Sequence, residues 1–155
     1  MKITLVLISL IIFGVYASQV VWAGELQLEL EGLKSNQGIV MVGLYNTEAA
    51  FSAGLGSYKQ PNGFLKDVGR LIGLTLRVDS GLRTAIFSGL KPGLYAIGLF
   101  HDANANGILD STLGMPTEGY GFSNNAMGFM KAPDFSSAAV RVGSGEKTIK
   151  IKLRN

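Results

Sequence analysis

The run Asp102-Ala103-Asn104-Ala105-Asn106-Gly107-Ile108-Leu109-Asp110 carries an oxygen-bearing side chain at every second residue as far as Asn106, then a glycine where the chain must turn. A short loop built this way can wrap a hard cation, because Ca2+ takes about six to eight oxygen ligands at roughly 2.3–2.6 Å. Against the helix–loop–helix calcium template of about twelve residues, Asp102, Asn104 and Asn106 fill the first, third and fifth positions and Gly107 the sixth. Ile108 would lend its main-chain carbonyl at the seventh, its side chain turned into the core, and Asp110 falls at the ninth. The last position holds Leu113, which has no carboxylate, and no helical pattern flanks the loop, so a helix–loop–helix domain is excluded. A calcium loop on a β-scaffold needs a further acid; Glu118 is the nearest downstream and Asp134 a more distant one. The expected ligands of a structural Ca2+ are therefore Asp102, Asn104, Asn106, Ile108, Asp110 and Glu118. Mg2+ fits less well, since it demands near-octahedral geometry and retains its waters. The competing reading is an Asx-type turn held by Asn104, Asn106 and Gly107 without an ion.

His101, the single histidine, stands directly before this loop. As a base or metal ligand with Asp102 and Glu118 beside it, it would make a small metal-assisted hydrolase. One histidine and no cysteine cannot form the usual zinc set, and no Gly-x-Ser-x-Gly elbow is present. The plainer expectation is a strand-end histidine that hydrogen-bonds and stiffens the loop. Met115, Met127 and Met130 flank a long loop and read as adaptable packing; they form no close Met/His cluster for Cu(I).

The elements that must position these residues begin with an export signal. Lys2 is followed by an apolar run from Ile3 to Tyr16, and Val21-Trp22-Ala23 before Gly24 offers a small-x-small cleavage site, with Ala17 as a second. The run is short for a membrane span, though an uncleaved anchor is the rival fate. Without cysteine the chain cannot be a lipoprotein or form disulfides. Removing the first 23 of 155 residues leaves 132, a length for one domain over residues 24–155. Removing Lys2 leaves 13 Lys and Arg against 11 Asp and Glu, a formal charge of +2. The basic residues are scattered except for Lys147, Lys150, Lys152 and Arg154, which alternate with Ile149, Ile151 and Leu153 as on a strand with one wet face. No aromatics interleave with them, which argues against nucleic-acid binding.

Period-two alternation dominates the rest. Strands are expected at Glu25 to Glu31, Gly38 to Tyr45, Leu74 to Val78, Arg83 to Phe87, Leu94 to His101, Ala138 to Val142 and Thr148 to Leu153. Asn46-Thr47-Glu48 can cap a short helical turn ending near Phe51. About seven strands with almost no amphipathic helix predict an all-β, antiparallel β-sandwich. Lys91-Pro92-Gly93 is a turn in which Pro92 sets φ and Gly93 accepts a positive φ, and the strand after it runs straight into His101-Asp102. Ser52 to Gly73 and Ser111 to Ser137 resist strand assignment. The second holds Tyr120, Phe122, Phe129 and Phe135 and is expected to be an ordered loop packed on the sandwich.

Leu90-Lys91-Pro92-Gly93-Leu94-Tyr95, Phe100 through Asp110, and Gly114-Met115-Pro116-Thr117-Glu118-Gly119-Tyr120-Gly121-Phe122-Ser123-Asn124-Asn125 together carry a resemblance. With Gly38 to Phe51, Pro133 and Phe135, they make the chain resemble an exported bacterial domain-of-unknown-function family, numbered 2141. The resemblance implies export and a transthyretin-like or immunoglobulin-like sandwich. It puts His101, Asp102, Asn104, Asn106, Asp110, Glu118, Ser123 and Asn124 on motif positions. The chain departs at Asn125 to Lys131, where Ala126-Met127-Gly128-Phe129-Met130 is unusually apolar, as a contact surface or a buried segment would be. The expected protein is a periplasmic or extracellular binding or interaction module for an unknown protein or cell-envelope ligand. It would touch the membrane only if the N-terminal segment is retained.

Overall fold

The computed structural model describes residues 23–67, 69–78 and 83–154. Residues 1–22, most of the expected export signal, lie outside the described residues.

β1 (Gly24–Glu31) buries Leu26, Leu28 and Leu30 and turns Glu25, Gln27 and Glu29 toward solvent, as the alternation requires. It is the middle of a three-stranded sheet, between β4 (Thr84–Leu90) and β10 (Glu146–Lys152). The β1–β10 pair is parallel, so this sheet is mixed, whereas the other strand pairs among the described residues are antiparallel. On the wet face, Lys150 lies 3.2 Å from Glu29 and 3.7 Å from Glu31.

The second sheet runs β3 (Ile72–Arg77), β2 (Ile39–Tyr45), β5 (Gly93–Asp102), β8 (Tyr120–Phe122), and β9 (Val140–Val142) pairs with the start of β5. The two sheets face each other across Leu26, Leu28, Val40, Val42, Ile97, Leu99 and Ile151, the main core of an all-β sandwich. Seven strands fall where the alternation predicts them. The additional ones, β6 (Ser111–Thr112), β7 (Met115–Pro116) and β8, all lie inside the long loop expected to be ordered.

Because β2 and β5 are apolar on both faces, the second sheet also needs a cover on its outer side. α1 (Glu48–Ser57) and α2 (Gly63–Lys66) supply it. Thr47 caps α1 by accepting the Ala50 N–H at 3.3 Å, but the helix continues past Phe51 to Ser57, through Gly54 and Gly56. Read as helix breakers, these glycines hid it. Gly54 serves packing instead, since a Cβ there would collide with the Tyr45 ring and hydroxyl. Gly43 and Gly98 face each other in register and open a slot under α1, where a Cβ on Gly43 would lie 2.7 Å from the Tyr58 hydroxyl.

A polar chain fills this slot. Tyr45 donates to Asp67 at 2.7 Å, the Tyr45 and Tyr58 hydroxyls are 3.0 Å apart, and Tyr58 reaches the Gly98 carbonyl at 3.1 Å. Burial pushes both hydroxyls well above the ordinary value of 10.0, with the neighbouring Tyr58 adding to the effect on Tyr45. An unfolded chain ionises these phenols near 10.0 and the folded chain does not. Their contribution to stability is therefore full below that pH and declines as pH climbs above it. In an alkaline titration, phenolate absorbance from Tyr45 and Tyr58 should appear only together with loss of the β-sheet circular dichroism signal. Ionisation of all the tyrosines ahead of unfolding would contradict the buried pair.

Candidate functional site

β5 delivers His101 and Asp102 to the edge of the sandwich as buried residues, and the loop starts from there. The His101 Nε2 donates to the Gln37 carbonyl at 2.7 Å, so this nitrogen bears the proton and ties the loop start to the residues before β2. That is the stiffening contact expected of a strand-end histidine.

Asp102 is fully buried, and both its oxygens accept main-chain N–H groups, Asn106 at 3.0 Å and Gly107 at 2.7 Å. Two further turns repeat the pattern: Asn104 Oδ1 accepts the Asn106 N–H at 3.1 Å, and Asn106 Oδ1 accepts the Ile108 N–H at 2.9 Å. Gly107 has φ +80° and Ala105 φ +57°, so the left-handed conformation is taken twice, once by a residue that disfavours it. Charge-assisted N–H bonds to a buried carboxylate hold that backbone in place.

Glu118 spans the loop. Its Oε1 accepts the Ala103 N–H at 2.8 Å and its Oε2 the Asp110 N–H at 3.0 Å, one contact at each end of the turn. The Thr117 N–H to Asp110 carbonyl bond, 2.8 Å, holds the same two segments together. Asp110 in turn receives the amide groups of Asn104 at 2.7 Å and Asn106 at 3.2 Å. The structure thus brings together Asp102, Asn104, Asn106, Asp110 and Glu118. It differs at two points. Ile108 is only half-buried, and Leu109 is the residue that enters the core, beside Met41, Tyr58, Phe64 and Phe100, while its N–H bonds the Tyr58 carbonyl at 2.8 Å. Asp134 pairs with Lys131 at 3.0 Å.

For a cation, the donor set has a definite character. The amide oxygens of Asn104 and Asn106 face main-chain N–H groups and their nitrogens face Asp110, so the loop is internally satisfied. No group of three or more His, Cys, Asp or Glu side chains placed to hold a metal occurs among the described residues.

Ser123 and Asn124 brace the far side of β5. The buried Ser123 hydroxyl accepts the Ile97 N–H at 2.9 Å and donates to the Ala138 carbonyl, and Asn124 donates to the carbonyls of Ser137 and Ala139.

Sequence reasoning missed a cleft. The loop, β8 and α1 enclose a cavity of about 290 Å3 whose walls include Leu55, Tyr58, Leu99, Leu109, Tyr120 and Phe122. A broader hollow of about 510 Å3 lies over Leu71 and Leu90 to Tyr95, but turn residues form much of its wall and no charged group enters it except Lys91. The signal for the cleft was the apolar content of Ala126 to Met130. Phe129 and Met130 turn out to be exposed, which favours the contact-surface reading of that segment over burial.

Asp102→Ala would leave two part-buried N–H groups without their acceptor and should lower stability by about 2 kcal/mol. Glu118→Gln can accept only one of its two bonds and should cost about 1–2 kcal/mol. Denaturant unfolding checks both; a wild-type midpoint for either variant would deny it the bracing role.

A family model described as an uncharacterized protein conserved in bacteria matches residues 28–150. No curated protein matches the chain. The match takes in every brace of the loop, from Gln37 to Glu118, and reaches into both β1 and β10: the chain belongs to the DUF2141 family.

Proposed function

We propose that this protein is an exported binding domain whose ligand enters the apolar cleft beside the braced loop. The carrying observation is the join between the two. Leu109 and Tyr58 line the cleft, and the Leu109 N–H to Tyr58 carbonyl bond fixes the loop to α1, so the hydrogen-bonded turn sets the cleft's wall. A mainly apolar cavity with a few polar groups at its edge is the usual form of a ligand site. His101 and Asp102 are buried and committed to main-chain partners, which supports structural roles for them over a hydrolytic pair. Export follows from the N-terminal pattern. No described helix is long and apolar enough to cross a membrane. Mass spectrometry of the exported protein is expected to give Gly24 as its first residue; an intact Met1 would make it a tethered domain.

A fluorescent fatty-acyl probe should bind saturably, and Met127→Asp, which places a charge on the half-exposed cleft wall, should weaken it by about tenfold or more. Binding indifferent to that variant would remove the cleft from the account.

A second reading, structural Ca2+, is favoured by the convergence of Asn104 and Asn106 on Asp110. The ion would take Asp102, Asp110, the two amide oxygens and the Ile108 carbonyl, with Glu118 closing the loop. It would displace the amide N–H groups from Asp110 while sharing the oxygens that already accept main-chain N–H. At millimolar Ca2+, with the weak affinity usual for extracellular modules, stability should rise by about 1–2 kcal/mol. A melting curve unmoved by Ca2+ or chelator, with no heat in calorimetry, would leave a purely hydrogen-bonded turn.

A further inference from the structure

Two loop tips stand beside the cleft, and their composition is opposite to what exposure favours. Leu113 is 100 % exposed and Met115 73 % on the β6–β7 hairpin; Phe129 is 90 % and Met130 92 % exposed on the next loop. Met115 and Met130 wall the same cleft, so the tips share one face.

Turn chemistry does not explain these residues. Leu113 and Gly114 form a tight turn with φ +52° and +82°, a geometry in which the first position prefers Asn, Asp or Gly. Met130 also takes a positive φ, +54°. A long apolar side chain at either place is unfavourable in water and in backbone conformation at once.

We propose that this face docks on an anionic lipid bilayer, with Leu113, Met115, Phe129 and Met130 entering the interface. The inference rests on the reading of the cleft as the binding face and names the surface it meets. Charge decides among occupants. The charged residues on the cleft wall, Lys59 and Lys131, are both cations, and Asp134 holds Lys131 at the rim by a 3.0 Å contact. Apolar tips above a lysine rim match the order of a membrane interface, acyl chains within and anionic headgroups outside. The shape agrees. A Cβ built on Gly114 meets nothing within 4 Å and Leu113 beside it is fully exposed, so the tip of the hairpin stands free in solvent. The Glu118 clasp lies at the base of this hairpin and holds the projection before contact.

Vesicles test it. The protein should co-sediment with an equal mixture of phosphatidylcholine and phosphatidylglycerol and more weakly with phosphatidylcholine alone. Phe129→Trp should shift its emission to the blue on the mixed vesicles, beyond any change from the native Trp22 measured in the parent protein. Leu113→Asn with Met130→Asn should reduce vesicle binding by about tenfold or more, since two apolar groups leave the interface. Asn suits the positive φ at both places, so the melting temperature should hold or rise, and loss of binding cannot be blamed on misfolding. All forms share residues 1–22, so the difference between them reports the tips. Unchanged binding by the double variant, or no tryptophan shift, would overturn the proposal. So would failure of the parent to bind either vesicle, which would give the face to a protein partner. Acyl-probe binding that survives any of these results retains the cleft reading and discards only the bilayer.

Discussion

One glutamate side chain closes the loop at the end of β5. Glu118 accepts an N–H from Ala103 and another from Asp110 and so fixes the distance between the two ends of the turn. Inside that closure the buried Asp102 carboxylate gathers the N–H groups of Asn106 and Gly107. The backbone between them includes Ala105 in a left-handed conformation, which survives because the surrounding bonds over-determine it. Each carboxyl group bonds two main-chain donors, one on each of its oxygens. The arrangement is held by its own hydrogen bonds, and it positions both the wall of the cleft and the base of the β6–β7 hairpin.

That stiffness has to be transmitted to the sandwich, and two features do so. β5 is buried along nearly its whole length and ends in the residue that holds the loop, so the turn is an extension of a core strand. Leu109 then returns the chain to the outer layer among Met41, Tyr58, Phe64 and Phe100. Tyr58 is the shared point. Its hydroxyl sits in the slot formed by Gly43 and Gly98, its ring packs 5.0 Å from Phe100, and its carbonyl receives the Leu109 N–H. A fixed wall lowers the ordering cost of whatever binds against it.

Much of this was legible in the sequence. Alternation located the sandwich strands because one buried face imposes period two, and the oxygen-rich loop announced itself by spacing. The roles within the loop were less legible. Spacing alone cannot distinguish an oxygen aimed at an ion from one aimed at an N–H group, and Asn104 and Asn106 serve the second use. Ile108 and Leu109 exchanged places for a related reason, since strand periodicity does not continue through a turn with two left-handed residues. α1 was shortened because Gly54 and Gly56 lower helix propensity, while the tertiary need that selects Gly54, room for the Tyr45 side chain, leaves no local pattern. The Tyr45–Tyr58–Asp67 chain was invisible for the same reason: its members are brought together by the packing of α1 on the sheet.

Amide hydrogen exchange followed by NMR tests the clasp most directly. The N–H groups of Ala103, Asn106, Gly107 and Asp110 should be protected in the wild type although they lie in a turn outside any strand ladder. In Glu118→Gln, protection should fall at Ala103 or Asp110 while the amides of β5 and its neighbours in the sheet keep theirs. Fast exchange of these four groups in the wild-type protein would show that the carboxylates do not hold the loop.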